Sequence, residues 1–144
     1  MDKNSDRLTL VPYFPNEKQT LKWYQDPKIC KQVDNIDIVY DLTKLRRMYE
    51  YLSVHGWCYY IQYQGKLIGD CTLLKDGEIS IVICKEYQNL HLGRKCVDKL
   101  VQLARIQKMT QVKAHIYDFN IQSKKMFTRM GFKEQQPGWY SYDL

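Results

Sequence analysis

The stretch Glu78–Arg94, which reads EISIVICKEYQNLHLGR, carries the most informative pattern in the chain. It opens with a run of mostly strand-forming apolar residues over 79–83, turns through KEYQ, and reaches a single glycine, Gly93. A helical pattern follows at once. Because the first backbone N–H groups of a helix have no partner within it, strand, basic turn and helix in this order are typical of a phosphate-binding site.

The length and the ends of the chain limit its class. At 144 residues it is long enough to bury a core, and we expect residues 1–144 to form a single domain. No apolar run approaches the ~18 residues that a transmembrane helix needs. The N-terminal residues include acids and no apolar segment typical of a signal peptide. We therefore expect a cytoplasmic protein with no membrane partner.

The cysteines and histidines predict no metal site. The cysteines are odd in number, form no CxxC pair and mostly stand in apolar runs: Cys30, Cys58, Cys71, Cys84 and Cys96. The three histidines lack metal-ligand spacing: His55, His91 and His115. This pattern indicates reduced, buried thiols.

The formal charge of +6 fits either a solvated surface or a polyanionic partner, such as nucleic acid or a phosphorylated cofactor. The basic residues are dispersed and form no long run, which argues against nucleic acid.

Hydrophobic periodicity predicts the element order β α α β β β α β α β β. The predicted elements are strand 7–11, helix 17–26, helix 42–56, strands 57–63, 67–74 and 78–84, helix 91–107, strand 111–117, helix 120–130, and hairpin strands 132–136 and 139–142. Residues 28–40 show no clear periodicity. Asn16 is the expected cap of the first helix, and Asp118 or Asn120 that of the last.

A meander followed by a β-α-β crossover predicts an α/β (α+β) fold. We expect a mixed, mostly antiparallel sheet with one parallel pair and helices on both faces.

The strongest chemical signal is the loop over 88–94. The backbone N–H groups of seven consecutive residues can converge on a pyrophosphate there: Gln88, Asn89, Leu90, His91, Leu92, Gly93 and Arg94. An ordinary strand-to-helix connection is the alternative.

Residues 78–132 resemble the core of the GNAT superfamily of acyl-CoA-dependent N-acetyltransferases. That family's loop reads Gln/Arg-x-x-Gly-x-Gly/Ala, and QNLHLG over 88–93 is similar, with His91 in place of the first glycine. A second signature, Asn-x-x-Ala/Ser followed by an aromatic residue and Gly-Phe, is matched by Asn120, Ser123, Phe127 and Gly131-Phe132. The segment WYQDP over 23–27 is similar to the RimJ/RimL-like branch and related aminoglycoside acetyltransferases.

The resemblance implies acetyl-CoA as acyl donor and assigns the residues that bind it. Ile81, Val82 and Ile83 would splay from the next parallel strand and pair their backbone with the pantetheine arm. The loop would hold the pyrophosphate, and Asn120 would contact the pantetheine end. Ser123 would lie beside the thioester sulfur. His91 is either a tolerated substitution or a phosphate contact, since a residue at negative φ can still offer its N–H.

The implied reaction needs a neutral amine. At about pH 7.5, deprotonating a lysine costs about 4 kcal/mol, and an α-amine well under 1. Glu78 is the candidate general base, and the resemblance places a glutamate at this position in several members. A hairpin-end charge is the alternative interpretation of Glu78.

The leaving thiolate needs a proton or a hydrogen bond. Many members use a tyrosine at the position of Phe127, which has no hydroxyl. Ser123, one turn earlier, is the candidate donor, ahead of Tyr117. Alternatively, Ser123 is a small residue that lets the cofactor approach.

The acceptor is a primary amine on a protein N-terminus or a small molecule. Two sets of strand aromatics line either its pocket or the core: Trp57, Tyr59, Tyr60, Tyr63 and Trp139, Tyr140, Tyr142. Asp34, Asp37 and Asp41 are candidates to attract a cation, or are solvated loop acids. The alternative function is a sensor or scaffold that binds acyl-CoA without turnover. A monomer and a homodimer are equally compatible with the sequence.

Overall fold

The computed structural model describes residues 7–144. Four antiparallel strands form the first sheet in the order β1-β2-β3-β4: Leu8–Pro12, Gly56–Tyr63, Lys66–Leu74 and Ile79–Ile83. Three more, in the order β5-β7-β6, form the second: Gln111–His115 (β5), Lys133–Gln136 (β6) and Trp139–Asp143 (β7). The predicted fold class, a mixed α/β fold that is mostly antiparallel, is confirmed.

Five α-helices lie within the described residues: α1 Glu17–Tyr24, α2 Pro27–Asp34, α3 Leu42–His55, α4 Leu92–Ile106 and α5 Ile121–Arg129. The helix α2 was not predicted, because its eight residues make only two turns and show little periodicity. Its signals are local: Pro27 occupies the first turn, and the Asp26 carboxylate accepts from the backbone N–H of Lys28 at 2.9 Å. The left-handed residue Asn35 ends it.

The predicted helix caps are partly right. Asn16 stands at the start of α1, but its side chain donates to Gln19 and caps no backbone group. Of the two alternatives for α5, Asn120 is the cap, since its Oδ1 accepts from the backbone N–H of Ser123. Asp118 instead forms an ion pair with Lys124 at 2.9 Å.

The expected parallel pair is reduced to a single contact. Strands β4 and β5 belong to separate sheets, and the structure joins them by one parallel bridge, between Glu78 and Lys113. No ladder between them continues beyond this bridge in the described residues. The two strands therefore splay and leave a gap between the sheets.

The two faces of the first sheet carry different partners. Asp70 lies opposite Val82 in the register of β3 and β4, and receives hydrogen bonds from side chains of α1 and α3. On the other face, Ile81 and Ile83 lie under Gly93 at the start of α4. One face therefore packs on α1 and α3, and the other on α4.

The core contains all five cysteines as free, buried thiols, as predicted. Burial raises the pKa of each of these thiols. Residues 7–144 hold no group of three or more His, Cys, Asp or Glu placed to bind a metal ion. None of the helices described here has the length and apolarity needed to cross a membrane.

Candidate active site

A cavity of about 780 Å³ lies across the gap between the two sheets. Its wall combines the start of α4, much of α5, strand β4 and side chains from α1 to α3. Every predicted site residue except Leu90 contributes to this wall. Leu90 is 51% exposed and does not line the cavity.

The loop before α4 is held by its own side chains. Gln88 donates from Nε2 to the carbonyl of Ile83 at 2.8 Å, and this bond ties the loop to the end of β4. Asn89, at φ 65°, accepts a hydrogen bond from Gln122 of α5. The backbone N–H groups at the start of α4 are thereby fixed relative to both β4 and α5.

His91 does not adopt the negative φ considered for it above. It is the residue before α4 and adopts φ 61° and ψ 19°, the left-handed conformation. A glycine would adopt this conformation without steric cost, whereas an L residue adopts it at a cost of about 1–2 kcal/mol. The loop thus keeps the geometry that a glycine favours, although the glycine is absent.

Gly93 lies where helix packing leaves little room for a side chain. A Cβ atom at this position would lie 3.1 Å from Sδ of Met126 on α5, and 3.7 Å and 3.8 Å from the Cδ1 atoms of Ile83 and Ile81. The glycine therefore allows α5 and β4 to approach the start of α4. Packing of protein atoms is thus a sufficient explanation for the glycine at this position.

Helix α5 presents the second group of predicted residues. Asn120 caps the helix, and Ser123 is half-buried one turn along it. Phe127 is only 3% exposed, and its ring packs edge-on against Phe132 at 5.0 Å between centroids. Phe127 thus joins the core while still contributing to the cavity wall.

Glu78 is half-buried where β4 begins, beside the bridge to Lys113. Burial raises the pKa of this carboxyl, and the charge of Asp76 raises it further. Lys113 and His115 act in the opposite direction and lower it. A carboxylate with a raised pKa is a better proton acceptor than an ordinary glutamate.

The cavity is electrostatically divided. Basic side chains lie on the wall that α4 and α5 form: Arg94, Lys125 and Arg129. Carboxylates lie on the wall that α2, β3 and the start of β4 form: Asp34, Asp70 and Glu78. An anion is favoured on the first side and a cation on the second.

Residues 7–133 match the family model of the acetyltransferase (GNAT) domain. This match spans most of the chain. The chain belongs to the GNAT acetyltransferase family.

Solved structures share this GNAT fold at low identity. Spermidine N-acetyltransferase from Vibrio cholerae, in complex with CoA and spermine, aligns with a TM-score of 0.77 and 16% identity over 90% of this chain and 82% of that chain. The aminoglycoside acetyltransferase AAC(6')-Ib in complex with coenzyme A aligns with a TM-score of 0.78 and 16% identity over 95% of each chain. The yncA protein of Salmonella typhimurium with acetyl-CoA aligns with a TM-score of 0.72 and 18% identity over 94% of each chain.

Sequence reasoning missed Asp70, a buried carboxyl in the cavity wall of this GNAT domain. It is 2% exposed, and its Oδ2 accepts from the hydroxyls of Tyr24 at 2.7 Å and Tyr49 at 2.8 Å. Burial raises the pKa of Asp70 to about 6, although both hydrogen bonds act to lower it. The available signal was an acid within the apolar strand LIGDCTLL over 67–74.

The predicted acceptor residues divide between the cavity and other roles. Tyr60 and Tyr140 are buried in the core, whereas Trp139 contributes to the cavity wall. Asp34 also lies in the wall and accepts a hydrogen bond from Tyr40. Of the other predicted acids, Asp41 caps α3 and the exposed Asp37 pairs with Lys31 at 3.6 Å.

Proposed function

We propose that this GNAT domain moves an acetyl group from acetyl-CoA to a primary amine by direct attack, with no covalent enzyme intermediate. One observation carries the proposal: a single cavity joins a basic wall at the start of a helix to an acidic wall across the gap between β4 and β5. Such a cavity holds a phosphorylated donor on one side and a cationic acceptor on the other. Residues 1–144 act as one domain in this proposal.

Acetyl-CoA is the donor in this proposal. Relatives by fold carry CoA or acetyl-CoA, and the residues present here fit that ligand. The N–H groups over 88–94 hold the pyrophosphate, with Arg94 adding positive charge. Within residues 7–144 the edge of β4 at Ile81, Val82 and Ile83 has no strand partner on the side of β5, so it pairs with the pantetheine amides.

The amine must lose a proton when it attacks. Its nitrogen forms the amide C–N bond with the acetyl carbon as the thioester C–S bond breaks, and Glu78 takes the proton directly or through a water. The half-buried position of Glu78 in the wall suits this role, because burial raises the pKa of its carboxyl.

The CoA thiolate leaves with a hydrogen bond or proton from Ser123. Ser123 lies in the wall, and its backbone N–H donates to the Asn120 cap. Phe127 offers only its ring at the position where many family members have a tyrosine. A thiolate is a fair leaving group, with a thiol pKa near ~8.5 by analogy with cysteine, so a weak donor is sufficient.

The acceptor in this proposal is a small-molecule amine. Two relatives by fold are a spermidine and an aminoglycoside acetyltransferase, and both names denote amine substrates. We also infer a place in the RimJ/RimL-like branch from WYQDP over 23–27. In this chain Trp23 and Tyr24 of that segment are buried, and Asp26 begins α2.

An acyl-CoA sensor without turnover is the second candidate. Two observations favour it: Phe127 lacks the hydroxyl of the usual acid, and His91 replaces a glycine of the loop. The test is a broad amine panel with acetyl-CoA, read by thiol release. Release with any amine, with the acetylated product identified by mass spectrometry, supports the transferase. Tight acetyl-CoA binding without release on any amine supports the sensor.

A further inference from the structure

Asp70 is a buried carboxylate with no counter-charge among the residues that the structure describes. Two tyrosine hydroxyls donate to Oδ2, and no donor within residues 7–144 reaches Oδ1. None of the ion pairs described in those residues includes Asp70. A buried charge is normally paired, since leaving it unpaired is energetically costly. The side chain faces the cavity, so a ligand can supply the missing charge.

The other two carboxylates of the cavity differ in this respect. Asp34 lies 3.9 Å from Nζ of Lys44. Glu78 lies within the electrostatic reach of Lys113 and His115, which lower its pKa. Asp70 is therefore the cavity carboxylate for which the described residues provide no cation.

The register places Asp70 and Glu78 on one face of the sheet. Side chains alternate along β4, so Glu78 points to the same side as Val82, and Val82 lies opposite Asp70. The backbone N–H of Leu74 donates to the carbonyl of Glu78, which extends the regular pairing to that residue. Four residues separate Glu78 from Val82, about 13 Å along the strand.

The inference rests on the proposed function, in which Glu78 receives the proton of the reacting amine. At about 13 Å along the strand, Asp70 is too far from Glu78 to contact the same nitrogen, so it is available to a different nitrogen of the acceptor. We propose that Asp70 binds a second cationic nitrogen of the acceptor, and that the substrates are therefore amines that carry at least two positive charges.

The groups that face Asp70 leave this negative charge uncompensated. Among residues 7–144 they are the phenols of Tyr24, Tyr40, Tyr49 and Tyr60 and the thiols of Cys58 and Cys71. Burial raises the pKa of every one of them, so all are neutral at pH 7. With a pKa of about 6, Asp70 is about nine-tenths ionised at that pH.

The test compares each diamine with the monoamine in which a methyl group replaces the second ammonium. Putrescine is paired with pentylamine, cadaverine with hexylamine, and octamethylenediamine with nonylamine. We expect the wild type to prefer diamines by about ten-fold or more in kcat/KM, most strongly for the longest. Asp70→Asn, which keeps an acceptor for the tyrosines, should abolish that preference and leave the monoamines unchanged. Asp98→Asn, the same change on the exposed side of α4, should preserve it.

Three results would overturn the inference. These are no preference for any diamine in the wild type, a preference that survives in Asp70→Asn, and an equal loss for diamines and monoamines, which indicates a structural role. A peptide arm, alanyl-lysine amide against alanyl-norleucine amide, shows whether the second charge can belong to a peptide.

Direct binding separates this inference from the proposed function. Octamethylenediamine is titrated calorimetrically into CoA-saturated protein. Binding to the wild type that is at least ten-fold weaker in Asp70→Asn supports the inference even if no amine is acetylated. Absence of diamine binding, with CoA bound normally, refutes the inference and leaves the acyl-CoA site intact.

A second variant keeps the test decisive if Asp70→Asn fails to fold. Tyr49→Phe removes one of the hydrogen bonds that lower the pKa of Asp70. The carboxyl then ionises at a higher pH, so the diamine preference should fall at pH 6 and recover at pH 8. A preference that does not change with pH in Tyr49→Phe would contradict the inference.

Discussion

The two walls of the cavity are built in opposite ways. The basic wall is formed largely by two contiguous segments, the loop over 88–94 and α5, and it offers backbone N–H groups as well as charge. The acidic wall collects single side chains from separate elements, with Asp34 on α2, Asp70 on β3 and Glu78 where β4 begins. Backbone recognition suits the constant part of a donor, whereas scattered side chains can vary with the acceptor.

The largest effect on activity is expected when the proton acceptor of the acidic wall is removed. Glu78→Gln should lower kcat/KM at neutral pH by about a hundred-fold to a thousand-fold. The loss should shrink at high pH, where free amine is abundant. The wild-type rate should rise with pH as Glu78 ionises. Because burial raises the pKa of Glu78, the midpoint of this rise should lie above the usual pKa of a glutamate. A pH–rate profile measures both effects.

Glu50→Gln, at an exposed position of α3, is the matched control and should retain the wild-type profile. An equal loss at every pH in Glu78→Gln would remove the general-base role and leave Glu78 as a surface charge.

A second prediction concerns the stability cost of the acidic wall. The folded protein raises the pKa of Asp70 to about 6, so between about pH 4 and pH 6 it binds a proton that the unfolded chain has released. Stability should therefore fall across this window as pH rises, by about 3 kcal/mol, and stay lower above it. Urea unfolding at pH 4 and pH 7 measures this effect. Between the two pH values, the free energy of unfolding of Asp70→Asn should rise by about 3 kcal/mol relative to that of the wild type. The same gain in Asp98→Asn would show that Asp70 is not its source.

On the basic wall, Ser123→Ala should lower kcat by about ten-fold, because the thiolate loses one hydrogen-bond donor. The KM for acetyl-CoA should hardly change. Steady-state kinetics with varied acetyl-CoA distinguish the two parameters, and Ser141→Ala on β7 serves as the control. Unchanged turnover in Ser123→Ala would mean that the serine only makes room for the donor.

The smallest effect is expected at His91, within the loop itself. His91→Gly should raise the free energy of unfolding by about 1 kcal/mol, because the left-handed conformation suits glycine. The affinity for acetyl-CoA should not change. Thermal unfolding and calorimetry measure the two quantities.

His91→Ala separates the side chain from the backbone, since it removes the imidazole and keeps the Cβ atom. If both variants bind acetyl-CoA more weakly, the imidazole itself contacts the phosphate.

The fold and the loop over 88–94 could be predicted from the sequence because their signals are local. The strand, loop and helix over 78–107 are contiguous, and Asn120-x-x-Ser123 marks the start of α5 within one turn. Helix α2 was missed because it is short. The left-handed backbone conformation of His91 was missed because the residue type does not specify it. Asp70 was missed because its partners, Tyr24 and Tyr49, are 46 and 21 residues away in the chain.

The single bridge between Glu78 and Lys113 has a consequence for handling the protein. Past it, the outer edge of β4 leaves backbone donors and acceptors without a neighbouring strand in the described residues. An unpaired apolar edge is a template on which other chains can aggregate. Purified protein stored without CoA should therefore precipitate sooner than protein stored with it. Amide hydrogen exchange over 80–83 should slow when CoA is added.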